Sequence, residues 1–152
     1  SLEEIIELFN KSNDVYFLGR SIHHPIALEG ALKLKELAYI HAEGMAAGEL
    51  KHGTLALVEE GTPAVIINPN DETYQDTISN AIEMKSRGAK IIGVSSINDS
   101  VYDYWIKIPE VDKILYPILE VIPLQILAYY TAIRRKHNPD YPRNLAKSVT
   151  VK

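Results

Sequence analysis

The spacing of apolar residues along the chain changes several times, and each change marks an element. Leu2, Ile5, Ile6, Leu8 and Phe9 recur at helical spacing, so Leu2 to Asn10 predicts an amphipathic helix. Asn13 and Asp14 stop it, and VYFLG behind them reads as a buried strand. Pro25 suits the first turn of a second helix running to about Glu36, because proline has no N–H to lose there. A short strand around Tyr39 to Ala42 would complete a β-α-β unit. Ala64 to Ile67 and Ile91 to Val94 are the unbroken apolar runs of central parallel strands. They flank a helical stretch from about Glu72 to Ser86 that Gly88 ends. Tyr104 to Ile108 predicts a further strand and Tyr116 to Arg135 a long helix, followed by the loop HNPDYPRN and an extended tail.

This alternation predicts an α/β fold, a three-layer α/β/α sandwich of the flavodoxin-like kind around a parallel sheet of about five strands. Ligands of such sheets sit near the carboxyl ends of the strands. At 152 residues, with no internal repeat or linker, one domain spanning 1–152 is expected. The opening SLEEIIELF has no methionine and no signal segment, and reads as a piece of something longer.

Composition narrows the chemistry. There is no cysteine, which excludes disulfides, a thiol nucleophile and thiolate metal sites and fits a reducing compartment, so a cytoplasmic location is expected. A net charge of -4 argues against nucleic acid as a partner, because phosphate binding draws on a surplus of Lys and Arg. Only Glu120 is charged between Lys113 and Arg134, a run about as long as a membrane span. Pro117, Glu120, Pro123 and Gln125 interrupt it, and a helix buried on most faces has the same composition, so a core helix is expected instead.

Glu29, Lys33 and Glu36 are spaced by four and three, which places them on one helix face. They suit a solvated ladder of ion pairs, worth about 0.3 to 0.5 kcal/mol each. They equally suit a proton shuttle at Glu36 with Lys33 beside it. Gly30 inside the helix costs roughly 1 kcal/mol against alanine, so a close approach of helix to sheet is expected there. In GELKHG, two glycines frame a turn carrying Glu49, Lys51 and His52, and histidine is the natural proton carrier near neutrality. Glu49 and His52 also have the i, i+3 spacing of one half of a carboxylate metal site, but with no second copy no metal is expected. His23, His24, His41 and His137 read as cap, strand-end or surface residues. Lys147, in the tail LAKSVTVK, is either a solvated amine or one brought beside a sugar carbonyl to form a Schiff base.

Four segments resemble one family: EGALKLKE at Glu29 to Glu36, HAEGMAAGELKHG at His41 to Gly53, VIPLQILAY at Val121 to Tyr129, and PRNLAKSVTVK at Pro142 to Lys152. They are similar to the second sugar isomerase (SIS) domain of glucosamine-6-phosphate synthases, over nearly the whole chain. The resemblance implies an enzyme that makes glucosamine 6-phosphate from fructose 6-phosphate and ammonia, the ammonia coming from glutamine at a separate glutaminase domain. It implies that Lys147 forms a Schiff base with the opened ketose and that Glu36, helped by Lys33, moves a proton between the first and second carbons. It further implies that His52 assists ring opening from a neighbouring subunit, and that Lys51, Ala146 and Ser148 contact substrate.

A homodimer partnered by the first isomerase domain and the glutaminase follows from the same resemblance, with no cofactor, metal or membrane. Two departures matter. Without a cysteine the chain cannot hydrolyse glutamine in the family's manner, and its loops GRSIHHP and NPNDET lack the run of small hydroxyl residues and the second glycine of a phosphate nest. Ser21 and Thr73 are the hydroxyls nearest such a role. The isolated piece is expected to be inactive or weakly active. A related phosphosugar isomerase or deglycase, and a phosphosugar-binding module without turnover, are the alternatives.

Overall fold

A parallel strand covered on both faces buries every side chain, so strands should form where apolar residues run without interruption. The computed structural model, which describes residues 1–144, follows that rule at β1 (Asp14–Gly19), β3 (Pro63–Ile67) and β4 (Lys90–Ser95). The shorter or more polar β2 (His41–Ala46) and β5 (Tyr104–Lys107) take the edges. All five strands are parallel, in the order β2-β1-β3-β4-β5. The chain moves outward from β1 to β2 and then returns across β1 to β3, so the order reverses between β1 and β3.

Alternate residues of each strand feed two cores. Val65 and Ile67 pack with Phe17, Phe9, Leu34 and Leu124 beneath α1 (Leu2–Lys11), α2 (His24–Ala38) and α4 (Tyr116–Arg134). Ala64 and Ile66 pack with Leu18, Leu50, Met84 and Ile91 beneath α3 (Tyr74–Lys85) and a short 3-10 turn, Ala47–His52. This is the expected three-layer arrangement.

Two glycines set how closely α2 lies on its neighbours. A Cβ on Gly30 would stand 2.7 Å from Leu124 Cδ1 and 3.0 Å from the Phe17 ring, which is the tight contact its position in a helix implied. A Cβ on Gly44 would stand 2.7 Å from the backbone of Ala27 and Leu28, so β2 and α2 touch main chain to main chain.

The segment Lys113–Arg134 has the length and apolarity of a membrane span; where burial on most faces is expected, only one face joins the core and 33% of its most apolar stretch is buried. Leu124, Leu127, Ala128 and Ala132 are buried against α1 and α2, while Ile118, Ile122, Ile126 and Ile133 face outward.

Three elements have a boundary two or more residues from expectation. The strand predicted at Tyr39 to Ala42 begins only at His41 and continues to Ala46, because Tyr39 takes a left-handed conformation (φ 55, ψ 38) that ends α2. α2 itself extends to Ala38 rather than Glu36. α3 starts at Tyr74 rather than Glu72, since the Asp71 carboxylate accepts the Thr73 N–H at 2.8 Å and closes a turn ahead of the helix.

Candidate active site

The outer face of α2 carries the expected ladder. Lys33 Nζ lies 2.5 Å from Glu36 Oε2 and 3.6 Å from Glu29 Oε1. The Lys33 and Glu36 side chains are 26% and 25% exposed, enough for a small ligand to reach them. The hydrogen bond to Glu36 holds the Lys33 ammonium above the usual lysine range, with the charges of Glu29 and Glu36 adding to it against partial burial. Lys33 is therefore a fixed cation beside a carboxylate within reach of solvent. Such a pair can stabilise ionised Glu36 while that group accepts or returns a proton.

The other expected residues stand elsewhere. The 3-10 turn Ala47–His52 is anchored by buried Ala47 and Leu50 on the α3 face of the sheet. His52 Nδ1 is 2.8 Å from Glu49 Oε2, with both side chains mostly exposed, and Lys51 Nζ is 2.7 Å from Glu83 Oε1 of α3. The sheet thus lies between the turn bearing Lys51 and His52 and the helix bearing Lys33 and Glu36. Lys147, Ala146 and Ser148 lie outside the described residues.

The reversal point between β1 and β3 holds a cluster that the sequence reading missed. His23 stands at the N-cap position of α2, one of the places expected for it, but its side chain makes no capping hydrogen bond and is wholly buried just after β1. Its Nε2 lies 3.0 Å from Asp71 Oδ2, in the loop after β3, and its Nδ1 lies 2.7 Å from Glu120 Oε1, from the first turns of α4. The second contact is close but poorly aligned for a hydrogen bond, leaving the Glu120 oxygens without a well-directed donor.

Burial disfavours a charged His23, but its contacts with Glu120 and Asp71 outweigh that and raise its pKa. Burial would raise Asp71 too, and the bonds from His23 and Thr73 more than reverse it, so Asp71 is held low. Glu120 is raised by burial, which His23 only partly offsets. The one available signal was Glu120, a single carboxylate in an apolar helix, because a buried charge needs a partner.

The cluster also fills the crevice where sheets of this order commonly take ligands. Thr73 Oγ1 is committed to Asp71 Oδ1 at 2.7 Å, and Arg20 reaches Asn80 at 3.1 Å and Asp76 at 3.8 Å. A separate surface cleft of about 320 Å³, lined by Lys11, Asp14, Tyr16, Glu59 and Pro63, opens at the amino ends of β1 and β3.

Comparison with known proteins places the chain as a whole. The SIS domain model matches residues 8–135. Over 99% of its length the chain is 54% identical to the glutamine–fructose-6-phosphate aminotransferase (isomerizing) of Thermococcus kodakarensis, and 50% identical to that of Gloeobacter violaceus. It spans 25% of the length of each of these relatives. Among solved structures it is similar to the C-terminal domain of glucosamine-fructose-6-phosphate aminotransferase from Francisella tularensis. That match has a TM-score of 0.84 and 40% identity, covering 91% of this chain and 40% of the other.

Proposed function

The chain belongs to the SIS domain family, and from that premise we propose that it is the C-terminal isomerase domain of a glutamine–fructose-6-phosphate aminotransferase. The observation that carries the reading is the accessible Lys33–Glu36 pair, in a chain about half identical to that portion of such enzymes. The complete enzyme converts fructose 6-phosphate and glutamine-derived ammonia to glucosamine 6-phosphate.

Each step needs a group of the right kind. The Lys147 amine adds to the C2 carbonyl of the opened ketose and loses water, which gives an imine and makes the neighbouring C1 proton acidic. Ammonia adds to the imine carbon and expels the Lys147 amine. Glu36 then takes a C1 proton and returns it at C2 as the C1 hydroxyl loses its proton to become the aldehyde, with Lys33 beside the carboxylate throughout. His52 assists ring opening, and Lys51, Ala146 and Ser148 contact the sugar. Because the sheet separates His52 from Glu36 within one chain, the reading uses His52 of a second copy, hence a homodimer. The substrate phosphate is held by the first isomerase domain, since the loops after β1 and β3 lack a run of small hydroxyl residues.

Borohydride reduction of the complete chain in the presence of fructose 6-phosphate tests this directly. A peptide carrying reduced sugar on Lys147 is the expected product. Turnover with Lys147 unmodified, or undiminished in Lys147→Ala, overturns the reading.

A further inference from the structure

We propose that the cleft at the amino ends of β1 and β3 binds a small primary amine in its ammonium form, at residues that the reaction proposed above does not use. Its volume of about 320 Å³ falls at the lower end of the range for small-molecule sites. Leu8 and Leu57 supply apolar walls, and Asp14, Glu59 and Glu60 bring carboxylates to it. Acidic residues alone would be an ordinary solvated surface. Tyr16 makes the difference, because it lines the same cleft although only 3% of it is exposed. Its hydroxyl has no hydrogen-bond partner among the described residues, whereas Tyr74 and Tyr102 of the same core have theirs in Asp99 and Asn68. A buried hydroxyl normally finds a partner, so an unmatched one at the wall of a cavity points to a ligand. Burial and the charges of Asp14, Glu43 and Glu59 hold Tyr16 above the usual tyrosine range, so at neutral pH its oxygen is an uncharged acceptor for an N–H.

The charges around that hydroxyl select a cation. Asp14 Oδ1 is paired with His41 Nδ1 at 2.5 Å, which leaves Oδ2 available, and the Glu59 carboxylate has no partner among the described residues. The lysine of the lining, Lys11, turns to Glu7 at 3.1 Å and is mostly exposed. No group of three or more acidic or imidazole side chains among the described residues converges as a metal ion requires. An ammonium suits the spread-out acceptors better, since its three N–H donors can be shared among Tyr16, Asp14 and Glu59 while its carbon stem lies on the leucines. The wall that carries Glu59 is also fixed in advance. Glu59 N–H donates to Thr62 Oγ1 at 3.1 Å, Thr62 N–H returns to the Glu59 carbonyl at 3.1 Å, and Gly61 N–H reaches the Gly88 carbonyl at 2.8 Å. A ligand would therefore have little loop to order on binding.

The test titrates n-butylammonium, and n-butanol as its uncharged counterpart, into the 152-residue chain near neutral pH and at fixed ionic strength, followed by backbone amide NMR shifts. n-Butylammonium is expected to saturate with a Kd on the order of 1 mM, with the largest shifts between Lys11 and Tyr16 and between Leu57 and Thr62. n-Butanol should bind at least about tenfold more weakly. Tyr16→Phe keeps the ring and breaks no hydrogen bond among the described residues, and Glu59→Gln removes one charge; each should weaken ammonium binding about tenfold. Absence of saturable shifts up to about 100 mM, shifts centred elsewhere, or equal binding of n-butanol overturns the inference. So does unchanged affinity in both variants. If Tyr16→Phe does not fold, the exposed substitution Glu59→Gln decides alone, with weakened binding expected and unchanged binding overturning the inference. None of these outcomes involves Glu36 or Lys147, so the proposed function is tested separately.

Discussion

His23 Nδ1 stands 2.7 Å from Glu120 Oε1 with both side chains wholly buried, and Asp71 faces the other ring nitrogen at 3.0 Å. One imidazole therefore answers two carboxylates at the point where the strand order reverses. Removing one member of a buried ion cluster leaves uncompensated charge, which costs more than the cluster contributes when intact.

Replacing His23 by Gln is accordingly expected to destabilise the domain by about 3 to 5 kcal/mol near neutral pH. The loss should be largest below about pH 6.5, where the raised His23 contributes in full, and should shrink as the pH climbs and His23 gives up its proton. Urea denaturation at pH 5 and 7.5 checks this, and an equal loss at both values would count against it.

The unsubstituted domain should itself respond to pH. Because His23 is raised in the folded state, its contribution is complete below its ordinary pKa of about 6.5 and disappears as the pH climbs through the folded value. Asp71, held low, contributes above its ordinary value of about 3.9 and loses that as the pH falls. Glu120 is raised, so its ionisation works against the fold above about 4.3. The cluster is thus most favourable at mildly acidic pH. Melting temperature should decline from pH 6.5 to 9, and the decline should vanish in His23→Gln; a flat profile in the unsubstituted chain would refute the assignment.

Gly44→Ala should cost about 2 to 3 kcal/mol, because the new methyl meets the backbone of Ala27 and Leu28, which cannot rotate away. Gly61→Ala offers the contrast: its φ is 85 but the space around it is open, so only backbone strain of about 1 kcal/mol applies. Denaturation midpoints that rank the two the other way would show that α2 can retreat from β2.

Within the ladder on α2 the two glutamates should behave differently in the complete chain. Glu29→Ala removes a long contact at 3.6 Å from an exposed pair, worth under about 0.5 kcal/mol, and turnover should stay within twofold. Glu36→Gln removes the proposed proton carrier and should lower kcat by about 100 to 10,000-fold. Similar effects from both would return Glu36 to a merely structural role.

What could be read from the chain follows its physics. Val65, Ile66, Ile67, Ile91 and Ile92 announce themselves because a strand covered on both sides needs no polar letter. β2 does not, since HAEGMA lies at an edge with His41 and Glu43 exposed and Gly44 chosen for closeness to α2, so its composition resembles a loop. The positive φ of Tyr39 leaves no trace in its neighbours, and that misplaced the start of the strand by two residues. Lys33 and Glu36 were legible because helical spacing alone brings them together. His23, Asp71 and Glu120 were not, because only the folded topology brings three such distant positions to one point.

The covering of the sheet also has an order in time. α3 and the strands beneath it form a closed layer from residues made early and midway, but the opposite face, which α1 already occupies, is completed only when α4 is added. Until Tyr116 and the turns behind it have emerged from the ribosome, Phe17 and Leu34 lack part of their cover and α1 has little to rest on. A pause in translation between β5 and α4 would leave one apolar sheet face only partly covered, a state open to capture by a chaperone or by another nascent chain.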